Sequence, residues 1–125
     1  MSDSYFYDSY AVLAYASGHP LYAKYFDDND GFLTKLNLLE VFYRSLENYD
    51  SRVATDMING FSKYLIEFGI DDIKNSMKLR LYLKRRGHNI SYADAVGYYV
   101  SKKMKVKFLT GDRAFEKLSG VEYVR

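Results

Sequence analysis

The chain reads as an α/β fold built on a mostly parallel sheet covered on both sides. Two observations predict this. Short β-branched or aromatic runs such as Tyr5-Phe6-Tyr7 and Val106-Lys107-Phe108-Leu109 alternate with longer stretches of helical periodicity. The 125 residues, 48% apolar, are enough for one domain, residues 1–125, around a single core, with no internal repeat, low-complexity tract or linker.

Taken in order, residues 5–7 predict a buried strand, and Asp8-Ser9 the start of a short apolar helix over 10–16. Gly18-His19-Pro20 breaks it, and the proline can open a helix over 21–25. The acidic run Asp27-Asp28-Asn29-Asp30-Gly31 lacks the spaced ligands and closing glutamate of an EF-hand, so it reads as a plain turn. A second strand is expected over 32–35 and a helix over 36–48. On that helix Leu36, Leu39, Tyr43 and Leu46 form an apolar stripe with Glu40 at its margin, facing partly inward.

Residues 51–64 predict a helix with Ser51 as N-cap and Gly60 as a weak point, and 65–68 a third strand, for which a helix tail is the alternative. A helix over 71–86, ended by Gly87, carries Lys74, Lys78 and Arg85 on one face. A helix over 92–104, a strand over 106–109, a short helix over 113–118 and a last strand over 121–124 complete the chain.

Composition removes several classes of function. Without cysteine there are neither disulfides nor thiolate metal sites, and two histidines are too few for a histidine-built zinc centre. No stretch has the roughly 18 to 20 apolar residues of a membrane span, and the N-terminus MSDSYFYDSY lacks a signal peptide's basic start, so we expect a soluble, cytoplasmic protein. Net charge is only +2, yet it is unevenly spread. Residues 1–72 hold 12 acids and 5 Lys+Arg, whereas 73–125 hold 4 acids and 13 Lys+Arg. Such a basic half suits a polyanionic partner, and solvated helix faces explain it equally well.

Four acids stand where an α/β sheet places its chemistry, at the carboxyl ends of strands or on helices leading there. Asp8 follows the first strand and Asp112 the strand ending in Leu109-Thr110-Gly111; Asp94 opens a helix; Glu40 lies on one. Each has an ordinary alternative. Asp8 and Asp112 can cap the helices after them, Glu40 can be a solvated helix residue, and Ser91-Tyr92-Ala93-Asp94 fits a capping box. Gly97 and Ser101 share Asp94's side of its helix, which suggests a small, open face. Taken together, four clustered carboxylates are hard to keep ionised without a cation, which points to Mg²⁺ or Mn²⁺.

Four motifs extend this over nearly the whole chain: Tyr7-Asp8-Ser9, Leu38-Leu39-Glu40-Val41, Ser91-Tyr92-Ala93-Asp94-Ala95, and Phe108-Leu109-Thr110-Gly111-Asp112-Arg113-Ala114-Phe115. With them the chain resembles a PIN domain and is most similar to VapC-type toxins of prokaryotic toxin–antitoxin pairs. The resemblance implies a three-layer α/β/α sandwich with a sheet of about five strands, a Mg²⁺ or Mn²⁺ site, and endonuclease action on RNA. Asp8, Glu40, Asp94 and Asp112 would be the catalytic and metal-binding acids, with Thr110 and Ser9 supporting them. It further implies a homodimer and a cognate antitoxin that blocks the site with a C-terminal segment, often placing a basic side chain among the acids. Gly97-Tyr98-Tyr99 departs from the alanine-rich packing more usual there.

The expected reaction is metal-dependent hydrolysis of an RNA phosphodiester, with Lys74, Lys78, Arg85, Lys102, Lys103, Lys105 and Arg113 as candidates for steering the RNA backbone. A signalling receiver domain would need adjacent acids after the first strand and an aspartate after the third. A haloacid-dehalogenase-like phosphatase would need aspartate where Tyr10 stands. An RNA-processing nuclease outside a toxin–antitoxin pair, and a non-catalytic RNA- or protein-binding module, are the remaining alternatives.

Overall fold

The computed structural model describes residues 3–125. Met1 and Ser2, which open the segment read as lacking a signal peptide, lie outside the described residues. Four strands, β1 (Ser4–Tyr7), β2 (Asp30–Phe32), β3 (Lys107–Thr110) and β4 (Val121–Tyr123), form one all-parallel sheet in the order β2-β1-β3-β4. The helices are α1 (Ser9–Ala16), α2 (Ala23–Asp27), α3 (Lys35–Asn48), α4 (Ser51–Phe61), α5 (Ile70–Lys84) and α6 (Tyr92–Met104).

Alternation along the strands divides the core in two. Tyr5, Tyr7 and Leu109 point to one face and pack with residues of α1, α2 and α3, while Phe6 and Phe108 point to the other and pack under α6 and Phe115. The result is the expected α/β/α sandwich. Phe6, Tyr7, Phe108 and Phe115 are fully buried, each contributing about 1.5–3 kcal/mol by area. Because the chain runs outward from β1 to β2 and then returns across it to β3, the strand order reverses between β1 and β3. Open α/β sheets carry a crevice at the carboxyl ends of such strands.

Several expectations shift. Residues 65–68 do not form a strand: Leu65 makes one parallel bridge to Leu33, fixed by bonds from the Leu33 N–H to Tyr64 O at 3.0 Å and from the Ile66 N–H to Leu33 O at 2.9 Å. Pairing stops there because Thr34 already caps α3, with Asn37 Oδ1 accepting the Thr34 N–H at 2.9 Å. The same cap ends β2 at Phe32, so the second strand lies earlier than 32–35 and draws Asp30-Gly31 out of the acidic turn. Gly31 is needed there, since a Cβ would fall inside the Tyr7 ring.

Asp50 caps α4, accepting the Val53 N–H at 2.9 Å, in place of Ser51. The helix tightens into a 3₁₀ turn, Ser62–Tyr64, just past Gly60. Helix α5 closes at Lys84, with Gly87 at φ +90° beyond it, and the helix expected over 113–118 is a single 3₁₀ turn, Arg113–Phe115.

On α3 the buried residues are Asn37, Leu38, Val41 and Ser45, whereas Leu39 and Tyr43 are 68% and 59% exposed. Of the apolar stripe, Leu39, Tyr43 and Leu46 therefore face outward, and Leu36 alone packs against the core. Helix α6 differs in the opposite sense: its small face is packed tightly. A Cβ on Gly97 would stand 2.6 Å from the Phe6 ring and 3.2 Å from that of Phe108, so glycine lets α6 lie against the sheet. Among the described residues no helix is long and apolar enough to cross a membrane.

Candidate functional site

Asp8 leaves β1 at its carboxyl end and is only 2% exposed. It does cap α1, its Oδ1 accepting the Ala11 N–H at 2.8 Å, while Oδ2 accepts a hydrogen bond from the Thr110 hydroxyl at the end of β3. Thr110 is fully buried and its Oγ1 also accepts the Asp112 N–H at 3.0 Å. One hydroxyl thus ties the two strand-end acids together. Asp112 in turn caps the following 3₁₀ turn, accepting the Ala114 N–H at 3.0 Å.

At α6 only half of a capping box forms: the Ser91 hydroxyl accepts the Asp94 N–H at 3.1 Å. The Gly97 packing presses this helix onto Phe6 and Phe108, which brings its first turn to the same sheet edge. Asp8, Glu40, Asp94 and Asp112 all line one open cleft of about 360 Å³, together with Ser9. Ser9 is buried and accepts a long 3.4 Å bond from Asn37 Nδ2.

The electrostatics record the same convergence. Burial holds the Asp8 carboxyl well above the ordinary carboxylate range, and Asp94 and, more weakly, Asp112 push it the same way against the Thr110 and Ala11 donors. Asp94 is pushed up to about 7 by burial, then by Glu40 and Asp112, with the Ser91 hydroxyl opposing. Among the described residues, no three Asp, Glu, His or Cys side chains stand close enough to enclose an ion as placed. The donor chemistry nevertheless fits a hard dication: oxygen atoms only, from four elements, two of them disfavoured as bare anions.

The basic residues expected to steer RNA are not brought to this cleft. Lys103 donates to Asp72 at 2.8 Å and Lys102 to Ser119 Oγ at 2.9 Å, near the far end of α6, about 12 Å along its axis from Asp94. Helices α5 and α6 run antiparallel, as Asn75–Tyr99 and Arg80–Ile90 hydrogen bonds show. Lys78 and Arg85 therefore lie toward the start of α6, and Lys74 toward its far half. Lys74, Lys78, Arg85, Lys105 and Arg113 are exposed.

The cationic groups that do line the cleft are Arg44 and Arg125, which sequence reading passed over. Arg44 is four residues after Glu40 and so shares its helix face, a signal that was available. Arg125 follows β4, whose carboxyl end a parallel sheet must bring to the same edge. It donates to Gly111 O at 2.8 Å. Tyr10 also lines the cleft: a Cβ on Gly111 would collide with its ring and stand 2.6 Å from Val124 O, so the glycine of Thr110-Gly111-Asp112 lets Tyr10 pack beside the acids.

No protein-family model and no curated relative matches the sequence. Solved structures do. A chain of the DNA-bound VapBC complex from Salmonella typhimurium superposes with TM-score 0.75 at 15% identity, covering 99% of this chain and 98% of that one. VapC20 of Mycobacterium tuberculosis, described as a sarcin-ricin loop cleaving toxin, gives TM-score 0.75 at 12% identity over 97% and 98%. A toxin–antitoxin complex from Klebsiella pneumoniae gives 0.72 at 15% over 94% of each chain. At these identities the likeness is one of fold, and over nearly its whole length the chain has the PIN fold of VapC toxins.

Proposed function

We propose that this chain is a Mg²⁺- or Mn²⁺-dependent endoribonuclease that hydrolyses RNA phosphodiesters in the acid cleft, as the toxin of a VapBC-type pair. One observation carries the reading. Four carboxylates delivered by β1, α3, α6 and the β3 exit line a single cleft, and burial with mutual repulsion drives two of them toward the neutral form. Structural carboxylates are rarely assembled this way without a cation to offset the repulsion.

Asp8, Asp94 and Asp112 would hold the cation, with Glu40 joining directly or through water. Bound there, a hard dication supplies Lewis acidity for the phosphoryl oxygens and for an attacking water. The remaining work falls to side chains. Thr110 fixes the Asp8 carboxylate and, through the Asp112 N–H, the spacing of the two strand-end acids. Ser9 supports the cleft floor through Asn37.

A toxin's partner would be a cognate antitoxin, and a homodimer is part of the same proposal. The outward apolar face of α3, with Leu39, Tyr43 and Leu46 exposed, offers surface for one of these contacts. The place of action would be the cytoplasm.

The reading is tested with purified protein and a mixed RNA substrate. After chelation cleavage should vanish, and Mn²⁺ or Mg²⁺ should restore it. Cleavage that persists in chelator, or no cleavage of any RNA with either metal, would overturn the proposal.

A further inference from the structure

A second concavity adjoins the acid cleft. This groove, about 620 Å³ in volume, lies between α1 and the α3–α4 corner and is lined by Leu13, Ala14, His19, Asn48, Tyr49 and Met57 among others. It borders the cleft, for Tyr10, Leu13 and Asn48 line both. The two differ sharply in chemistry: no acid lines the groove, whereas four line the cleft.

We infer that this groove is a nucleobase subsite that takes one unstacked base of the RNA beside the scissile phosphate, with Arg44 and Arg125 on the flanking backbone. The inference rests on the nuclease reading and deepens it. A nucleotide has a flat, uncharged, partly apolar base and an anionic phosphate, and the two concavities match those halves. The groove supplies apolar walls and the aromatic rings of Tyr10 and Tyr49, on which bases of any sequence can stack. Its polar groups suit a base edge. Asn48 is exposed where the groove meets the cleft, so its amide can present both donor and acceptor. His19 Nδ1 accepts the Leu21 N–H at 3.2 Å, which directs the ring's donor to Nε2.

The cleft has the two guanidiniums. Arg44, 57% exposed, has only a 3.9 Å contact to Glu47, and Arg125 uses one N–H on Gly111 O and keeps the rest. Both are free to bind phosphate oxygens, which an apolar peptide filling the groove would not use. A base paired in a helix is not available to such a groove, so the bound nucleotide must be unpaired.

The test uses Asp8→Asn protein, in which cleavage is expected to be lost, with Mg²⁺ and fluorescently tagged single-stranded hexaribonucleotides, each compared with the same backbone carrying an abasic centre. Anisotropy should show the intact strand bound about tenfold more tightly than the abasic one. Adding Asn48→Ala or Tyr49→Ala, both at exposed positions, should erase most of that advantage. Equal binding of intact and abasic strands would overturn the subsite and leave the nuclease reading standing. An advantage unchanged in both double variants would also overturn it, placing the base elsewhere and leaving the groove to a protein segment. Failure of every strand to bind would remove the subsite, while the chelation and metal-rescue assay decides the nuclease reading separately.

Discussion

Asp8→Asn and Asp94→Asn should each abolish Mn²⁺-dependent RNA cleavage, lowering the rate by about 10³-fold or more, while the protein stays folded. Folding should survive for specific reasons. Asparagine caps a helix as well as aspartate does, so α1 keeps its N-cap at position 8. At position 94 the cap is Ser91, which the substitution leaves alone. What each change removes is one anionic oxygen donor from a cleft that has four. Steady-state cleavage by the purified variants, with circular dichroism as the folding control, checks this. Undiminished cleavage by both would refute the assignment of these acids.

The metal-free protein should lose stability as pH rises from about 5 to about 8. Asp94 has an ordinary value of 3.8 and is pushed up to about 7 in the folded chain, and Asp8 is displaced in the same direction. A raised folded value means that the folded state holds the proton more tightly than the unfolded chain. That stabilisation is complete below about pH 4 and is lost as pH climbs to about 7. For Asp94 the difference amounts to about 4 kcal/mol as an upper figure, enough to move the melting temperature by about 10 °C in a chain of this size. Thermal melts in chelator should therefore show a lower midpoint at about pH 8 than at about pH 5, and Asp94→Asn should flatten the profile. Saturating Mn²⁺ should raise the midpoint at the higher pH, because a ligand that binds only the folded state stabilises it. Parallel profiles for wild type and variant would contradict the electrostatic account.

Asp8 and Asp112 were legible because they lie at strand exits, which a parallel sheet brings to one edge, and Glu40 and Asp94 because they lie on helices leading there and complete the motif set. That reasoning needs only the alternation of strand and helix, which holds except over 65–68, where the Thr34 cap ends the pairing after one residue. Facing on α3 was not legible. A hydrophobic-stripe reading assumes apolar residues turn inward, yet Asn37 is buried because it serves Thr34 and Ser9, and Leu39 and Tyr43 are left outside. Gly97 was misread for a related reason: a missing side chain looks like open space in sequence but is filled by two phenylalanine rings in the fold.

Charge counting located the basic residues and could not say what they do. Lys103 is tied to Asp72, whose carboxyl lies below its ordinary range through the Gly69 N–H and this lysine, and Lys102 is tied to Ser119. Arg44 and Arg125 reach the cleft because of helix periodicity and of the edge at which β4 ends, two rules that apply to cations as readily as to the acids.

The central claim is that Asp8, Glu40, Asp94 and Asp112 act as one cation site, and calorimetric titration with Mn²⁺ at about pH 7 tests it most directly. The wild type should bind saturably, with a heat that depends on the buffer because the partly protonated Asp94 gives up its proton on binding. Asp8→Asn and Asp94→Asn should bind far more weakly, the latter with a smaller buffer-dependent heat. Wild-type protein that takes up no Mn²⁺, or variants that bind as the wild type does, would contradict the account.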